Sequence, residues 1–350
     1  MNKISANAPG SSLRGRAILL RAILGTVSIF PAAVVAKNKT DQRAEARALI
    51  QKALDISDFR ASGSPAFELR GTITVPLKKG ENATGTYFLD WVSPDRWREE
   101  IHVANYSRIR VGGTGKYWQQ RSIDYELIPF SDLSGSLEYT RELRQSLADP
   151  GWTADRRTKI SLDSKRVNKQ DVNCVRIGKR FDVQIFCFDS QSGSLIQSGS
   201  QYGGDTNSYS DFATLGGKIL PGKIEIRDSG KLIVSLKLNG VALLGTVAAG
   251  MFDPPQNADV WPTCDDPVPP KVLREKLPDF SRFVVGGTVT YYVVVGTDGL
   301  VHNPKILAAS SPRDGEAVLR SLKEGKYEPQ ACHGVPQPVE IMMTTAFSNP

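Results

Sequence analysis

The 350-residue sequence holds three histidines, four cysteines and four methionines. It has no Cys-x-x-Cys, no His-Glu-x-x-His and no Gly-x-Ser-x-Gly, which removes the common zinc-site, metalloprotease and serine-hydrolase signatures. No uncharged apolar run reaches the roughly 20 residues that a bilayer-spanning helix needs, so a polytopic membrane protein is excluded. Acidic residues are missing from positions 1–36, where Lys3, Arg14, Arg16 and Arg21 stand. Those four cations account for four of the net charge of +7 and leave +3 for the rest of the chain, too thin a surplus for a nucleic-acid footprint. The whole chain, 40% hydrophobic and 23% charged, has an ordinary globular composition and length enough for two domains.

The four cations precede an apolar run from Ala22 to Ala36 that ends in the small-residue pattern Val34-Val35-Ala36, the layout of a secretory signal peptide over residues 1–36. The run is short for a span and is interrupted by Pro31. The competing reading is an uncleaved anchor in which Ala17–Leu20 joins the span and Arg21 snorkels. No cysteine follows the run until Cys174, so bacterial lipoprotein attachment is unavailable. Either reading exports the rest of the chain and places it in the periplasm, free or held at the inner membrane.

An even number of cysteines suits an oxidising compartment. Cys174 and Cys187 lie in two alternating segments, 172–177 and 183–188, separated by a polar turn. In a hairpin tipped at Arg180-Phe181 the two fall directly opposite each other, where a cross-strand disulfide can form. Cys264 and Cys332 are then left to pair.

Residues 41–59 read as a helix, with Ala44, Ala48, Leu49, Lys52, Ala53 and Ile56 at three- and four-residue spacing. From Phe67 the period changes to two, and strand-like segments follow at 67–75, 85–92, 97–103 and 106–111. A helix over Ser136–Ala148, striped by Tyr139, Leu143 and Leu147, interrupts them before strands resume at 172–188, 193–199, 209–215, 223–227 and 231–239. This is an α+β domain over 41–250 with a large curved antiparallel sheet and covering helices. Residues 251–285, rich in proline, read as an extended, stiff linker. A small α+β domain over 286–350 follows: strand 288–295, a Gly296-Thr-Asp-Gly299 turn, strand 300–308, a helix opened by Ser311-Pro312-Arg313-Asp314 and stopped at Gly325, then strand 339–347.

The C-terminal segment carries Gly287-Thr-Val-Thr-Tyr-Tyr-Val-Val-Val-Gly-Thr-Asp-Gly-Leu-Val301, Ser310-Ser311 before the helix, Tyr327-Glu-Pro329, and Gly334-Val-Pro-Gln-Pro-Val-Glu-Ile341. In that order these motifs resemble the TonB C-terminal domain. Gly325 stands where that family often has Trp, which puts a contact made by that Trp in doubt. Over 41–250, the opening helix, Trp91-Val-Ser-Pro-Asp-Arg-Trp97, Gly115-Lys-Tyr-Trp118, Cys187-Phe-Asp189 and Leu220-Pro-Gly-Lys-Ile-Glu-Ile226 resemble the periplasmic lipoprotein-carrier fold of the LolA/LolB type. That resemblance implies binding of a lipid or lipoprotein acyl chain between sheet and helices. The TonB resemblance implies binding of an extended peptide from an outer-membrane receptor or other envelope protein.

Catalytic signals are poor. Gly112-Gly-Thr-Gly-Lys116 has Arg110 where a phosphate loop needs Gly and Tyr117 where it needs Ser or Thr, and reads as a hairpin turn. Cys332-His333 are sequence neighbours whose side chains point apart. The reading is therefore a non-enzymatic binding or transport protein with no cofactor and no metal. Trp91, Trp97, Tyr106, Tyr117 and Trp118 are expected to line an apolar site on one sheet. The edge formed by Val339, Glu340, Ile341, Met342, Met343, Thr344 and Thr345 is expected to pair with the peptide. Two alternatives stay open: a free periplasmic lipid or lipoprotein chaperone not coupled to energy, and a secreted hydrolase with an unrecognised site. A full energy-transducing role is disfavoured, because the chain has no long Pro/Lys-rich rod.

Overall fold

A computed structural model describes residues 39–77, 80–148, 158–179, 182–200, 204–264, 267–274 and 287–346. The expected targeting segment lies outside them. Residues from Lys39 onward form a compact unit. Its elements, in order, are α1 (Lys39–Ser57), β1 (Phe67–Pro76), β2 (Asn82–Ser93), β3 (Arg96–Val103), β4 (Tyr106–Gly113), β5 (Lys116–Arg121), α2 (Ile128–Leu137) and α3 (Tyr139–Ala148). Then come β6 (Lys159–Val167), β7 (Gln170–Lys179), β8 (Asp182–Asp189), β9 (Leu195–Ser200), β10 (Asp205–Ser210), β11 (Ala213–Leu215), β12 (Lys218–Leu220), β13 (Lys223–Asp228), β14 (Lys231–Leu243) and β15 (Asp259–Pro262). The chain closes with β16 (Pro267–Val268), β17 (Lys271–Arg274), β18 (Thr288–Val295), β19 (Val301–Ala309), α4 (Pro312–Glu324), β20 (Lys326–Glu328), β21 (Gln330–Cys332), β22 (Val335–Gln337) and β23 (Val339–Ala346).

The fold class is α+β. Thirteen antiparallel strands form one sheet in the order β15-β5-β4-β3-β2-β1-β14-β13-β10-β9-β8-β7-β6. Its alternating strands bury one side chain in two, and Phe67, Leu69, Ile73, Tyr87, Leu89 and Ile101 are among those packed under the helices. The first helix forms where expected, but its buried stripe is Ala46, Ile50, Ala53, Leu54 and Ser57. Ala44, Ala48 and Lys52 face solvent. Several alanines leave the phase of a helix ambiguous, and the bulkier Ile50 and Leu54 decide it.

Where one helix was expected at 136–148 there are two. The stripe of α2 is Phe130, Leu133 and Leu137, out of phase with Tyr139 and Leu143 of α3, and Glu138 between them leaves helical geometry at ψ 23°. Serines and Gly135 concealed α2, since each is a weak helix former. The strand expected at 209–215 is likewise cut in two by Asp211, which adopts a left-handed φ of 53° and accepts a hydrogen bond from the Gly222 amide.

The proline-rich stretch is strapped down. β15 pairs with β5 as the outermost strand of the large sheet, β16 pairs with β21 and β17 with β20. Cys264, between β15 and β16, is bonded to Cys332 at a Cα–Cα distance of 5.9 Å. In the large sheet Cys174 and Cys187 are register partners joined by the other disulfide. The remaining small sheet has the order β19-β18-β23. Its helix α4 starts as expected, with Ser311 Oγ accepting from the Asp314 amide at 3.2 Å. Gly325 ends it in extended rather than left-handed geometry, φ −67° and ψ 154°.

Candidate functional site

The small sheet offers one edge ready for pairing. β23 bonds to β18 on one side, and no described strand occupies the other. β19, at the opposite edge, is spoiled for pairing by Pro304 and by Asn303 at φ 47°. From Val339 to Ala346, β23 has no proline, and Glu340 is its only charge. Glu340 is itself neutralised, since Arg121 Nη2 donates to its Oε1 at 2.6 Å and the Tyr292 hydroxyl donates to the same oxygen. Met343, by contrast, is half exposed.

Both faces of this sheet are partly covered. Val289, Tyr291, Val293 and Val295 pack with Val318 and Leu322 of α4 on one face, where Val339 and Ile341 join them. Across the other face runs the segment after β5. Tyr125 lies against Tyr292, with ring centroids 6.1 Å apart. Asp124 accepts from Lys305 Nζ, and Arg121 holds Glu340.

That same segment is anchored in the large sheet by a buried ion network. Arg108 is fully buried; its Nη2 donates to Glu99 Oε2 at 2.6 Å and to Ser134 Oγ of α2 at 2.6 Å, and its Nη1 meets Glu126. Arg110 also grips Glu126, and its Nε donates to Gln119 Oε1 at 2.6 Å. The Tyr87 hydroxyl donates to Glu99. Burial alone would raise the Glu99 pKa, but the neighbouring Arg108, Arg110 and Arg60 outweigh it and hold the carboxyl below its ordinary value. Burial and the Glu99 charge push Tyr87 well up.

The five aromatics expected to share a site do not share a face. Trp91 stacks on Phe67 at 5.1 Å inside the core, and Tyr106 stacks on Phe130 of α2 at 4.7 Å. Trp97 and Tyr117 lie on the same helix-covered face, 6.4 Å apart and half-buried. Trp118 pairs in register with Val111 and Val260, so by alternation it projects from the opposite face. There Lys116 Nζ sits 4.9 Å from its ring. Trp261 pairs with Tyr117 and adds a third half-buried aromatic that the sequence reading left in the linker. Arg108, Glu99, Glu126, Arg121 and Tyr292 were also missed. For Glu99 and Arg108 the one signal is charge at core-facing positions of period-two strands; Glu126, in the segment after β5, and the uncharged Tyr292 carry none.

No constellation of His, Cys, Asp and Glu able to hold a metal ion occurs among the described residues. Gly112-Gly-Thr-Gly-Lys116 is the β4–β5 hairpin, with Gly113 paired to Lys116. Among the described residues no helix is long and apolar enough to cross a membrane.

Residues 284–348 match the family model of the Gram-negative bacterial TonB protein C-terminal. The C-terminal module is thus TonB-like, and its departure at Gly325 has a local cause: a Cβ there would stand 3.0 Å from the Tyr327 ring. No curated protein matches the chain. Similar solved structures include a LolA superfamily protein from Nitrosomonas europaea, 12% identical over 59% of this chain and 96% of that one, TM-score 0.36. A DUF1329 family protein from Desulfovibrio piger is 7% identical over 61% of this chain and 97% of that one, TM-score 0.38. MucB is 13% identical over 67% of this chain and 72% of that one, TM-score 0.28. Similarities of this size carry nothing about ligand or partner.

Proposed function

We propose that the chain is an exported cell-envelope binding protein whose TonB-like module takes an extended peptide of an envelope partner by strand addition along the outer edge of β23. The observation that carries this reading is the edge itself. An unblunted row of backbone donors and acceptors is a liability that a protein covers or uses, and here the other edge of the same sheet is blunted while this one is open. An added strand gains most at the edge, where its backbone groups find partners. The site works by backbone pairing, so the reading is of binding and not of catalysis.

The test is a displayed library of random ten-residue peptides selected on the full chain, followed by binding of the selected peptides to Thr344→Pro and Thr345→Pro. Backbone N–H groups alternate between β18 and the open edge, so the two prolines remove different donors. The variant that loses the outward donor should bind at least tenfold more weakly while remaining folded. Unchanged binding by both folded variants would refute strand addition here.

A second reading concerns the large sheet, which we propose takes a lipid or lipoprotein acyl chain. The observation favouring it is the half-buried group of Trp97, Tyr117 and Trp261 on the helix-covered face. Trp91 and Tyr106 are already committed to the core.

A further inference from the structure

We propose that the peptide edge is composite: Arg121 of the large sheet forms part of it and selects an incoming strand that carries an acidic side chain opposite Glu340. The inference rests on the strand-addition reading and adds the chemistry of the partner.

Arg121 ends β5, and its side chain is 5% exposed. Its Nη2 is used twice, on Glu340 Oε1 at 2.6 Å and on the Asp124 carbonyl at 3.3 Å. Its Nη1 is buried and has no hydrogen-bond partner among the described residues. A guanidinium donor left unpaired in the interior is costly, and the strongest acceptor for it is a carboxylate.

Strand geometry identifies where that acceptor can come from. Glu340 pairs with Val294 of β18 on its inner side, and no described strand lies on its outer side. In an added strand, the residue opposite Glu340 places its Cβ about 5 Å from that of Glu340 and points to the same face. That is the face across which Arg121 lies. A guanidinium is a planar fork with five donors, so it can hold Glu340 through Nη2 and a second carboxylate through Nη1.

The surrounding charges permit this. Asp124 is held by Lys305, while Glu99 and Glu126 are held by Arg108 and Arg110. Glu340 flanks the vacant position, and its charge is shared by Arg121 and the Tyr292 hydroxyl. A lysine or arginine at that place in the peptide would confront Arg121 instead.

The experiment uses the same displayed library on three full-length proteins: the parent, Arg121→Gln, and Arg121→Gln with Glu340→Gln. The double variant removes both charges together, so it stays folded where the single variant leaves Glu340 buried without its cation. Peptides selected on the parent should share an Asp or Glu at one position. Replacing that acid by Asn should weaken binding about tenfold to the parent and less than threefold to the double variant. Peptides that are weakened by the β23 proline substitutions yet show no acidic position, or show the same acid preference on the double variant, would overturn the role of Arg121 and leave strand addition standing. Failure to select any peptide, or peptides indifferent to both proline substitutions, would overturn strand addition and this inference with it.

Discussion

Replacing Arg108 with methionine should be among the most destabilising single changes in the large sheet. Its side chain is fully buried and meets Glu99, Glu126 and Ser134 at once. Methionine fills much of the same volume but leaves two carboxylates in the interior. Glu126 keeps Arg110, and Glu99 keeps the Tyr87 hydroxyl, so the loss falls towards the lower end of the roughly 3–5 kcal/mol expected for breaking a buried ion pair. At about 2–4 °C per kcal/mol for a unit of this size, 3 kcal/mol lowers the melting temperature by about 10 °C. The assay is guanidinium and thermal unfolding of the full chain followed by circular dichroism. Arg108→Met combined with Glu99→Gln and Glu126→Gln should recover most of the loss, because no uncompensated charge remains. A single variant within about 0.5 kcal/mol of the parent, or a triple variant as unstable as the single, would refute the reasoning.

Three further outcomes follow from the same contacts. Because the folded Glu99 pKa lies below its ordinary 4.5, its stabilisation is fully present above about pH 5 and is lost as pH falls through the folded value, so the unfolding midpoint should fall in acid for both proteins, other lowered carboxyls such as Glu100 and Glu225 remaining in each, but less for Glu99→Gln than for the parent. Cys264→Ser opens a loop with a sequence separation of 68 and should cost about 4 kcal/mol by the loop-entropy relation, read as a lower melting temperature in the absence of reductant; an unchanged melting temperature would remove that role. Trp97→Ala should reduce lipid found by mass spectrometry in protein purified without detergent, whereas Trp118→Ala, on the opposite face, should not; equal losses from both would contradict the division of faces.

Much of the fold was legible because its signals are local. Period-two alternation located strands such as β1 and β3 to within a residue or two, and the mirror positions of Cys174 and Cys187 about a polar turn anticipated both their register and their bond. The failures have equally definite causes. An alanine-rich helix does not declare its phase until Ile50 and Leu54 meet a surface. Serine and glycine hid α2, whose formation is decided by the sheet beneath Phe130 and Leu133. Proline suggested an extended, stiff linker over 251–285; within it β15 and β16 run as edge strands of two sheets, a place where proline is tolerated.

The candidate site was legible only on one side of the joint. The edge residues Val339 to Thr345 could be read from their own alternation, since an open edge is a property of one strand and its neighbour. Arg121, Asp124 and Tyr125 could not, because nothing in a hexapeptide strand such as Lys116–Arg121 says that the segment after it will lie across a sheet made from residues 288–346. Their partners are Glu340, Lys305 and Tyr292, separated from them by 181 positions for the Asp124–Lys305 pair and 219 for Arg121–Glu340. What the sequence did contain was the anomaly of charged residues on core-facing positions, Glu99 on β3 and Arg108 on β4, and such positions need a partner inside the fold. Glu126 answers both arginines of β4, and by doing so it fixes the turn after β5 against the sheet. The recognition edge we propose gains selectivity only when the side chains flanking it are held in place, and the charges that anchor the segment bearing Tyr125 and Asp124 are buried in the large sheet.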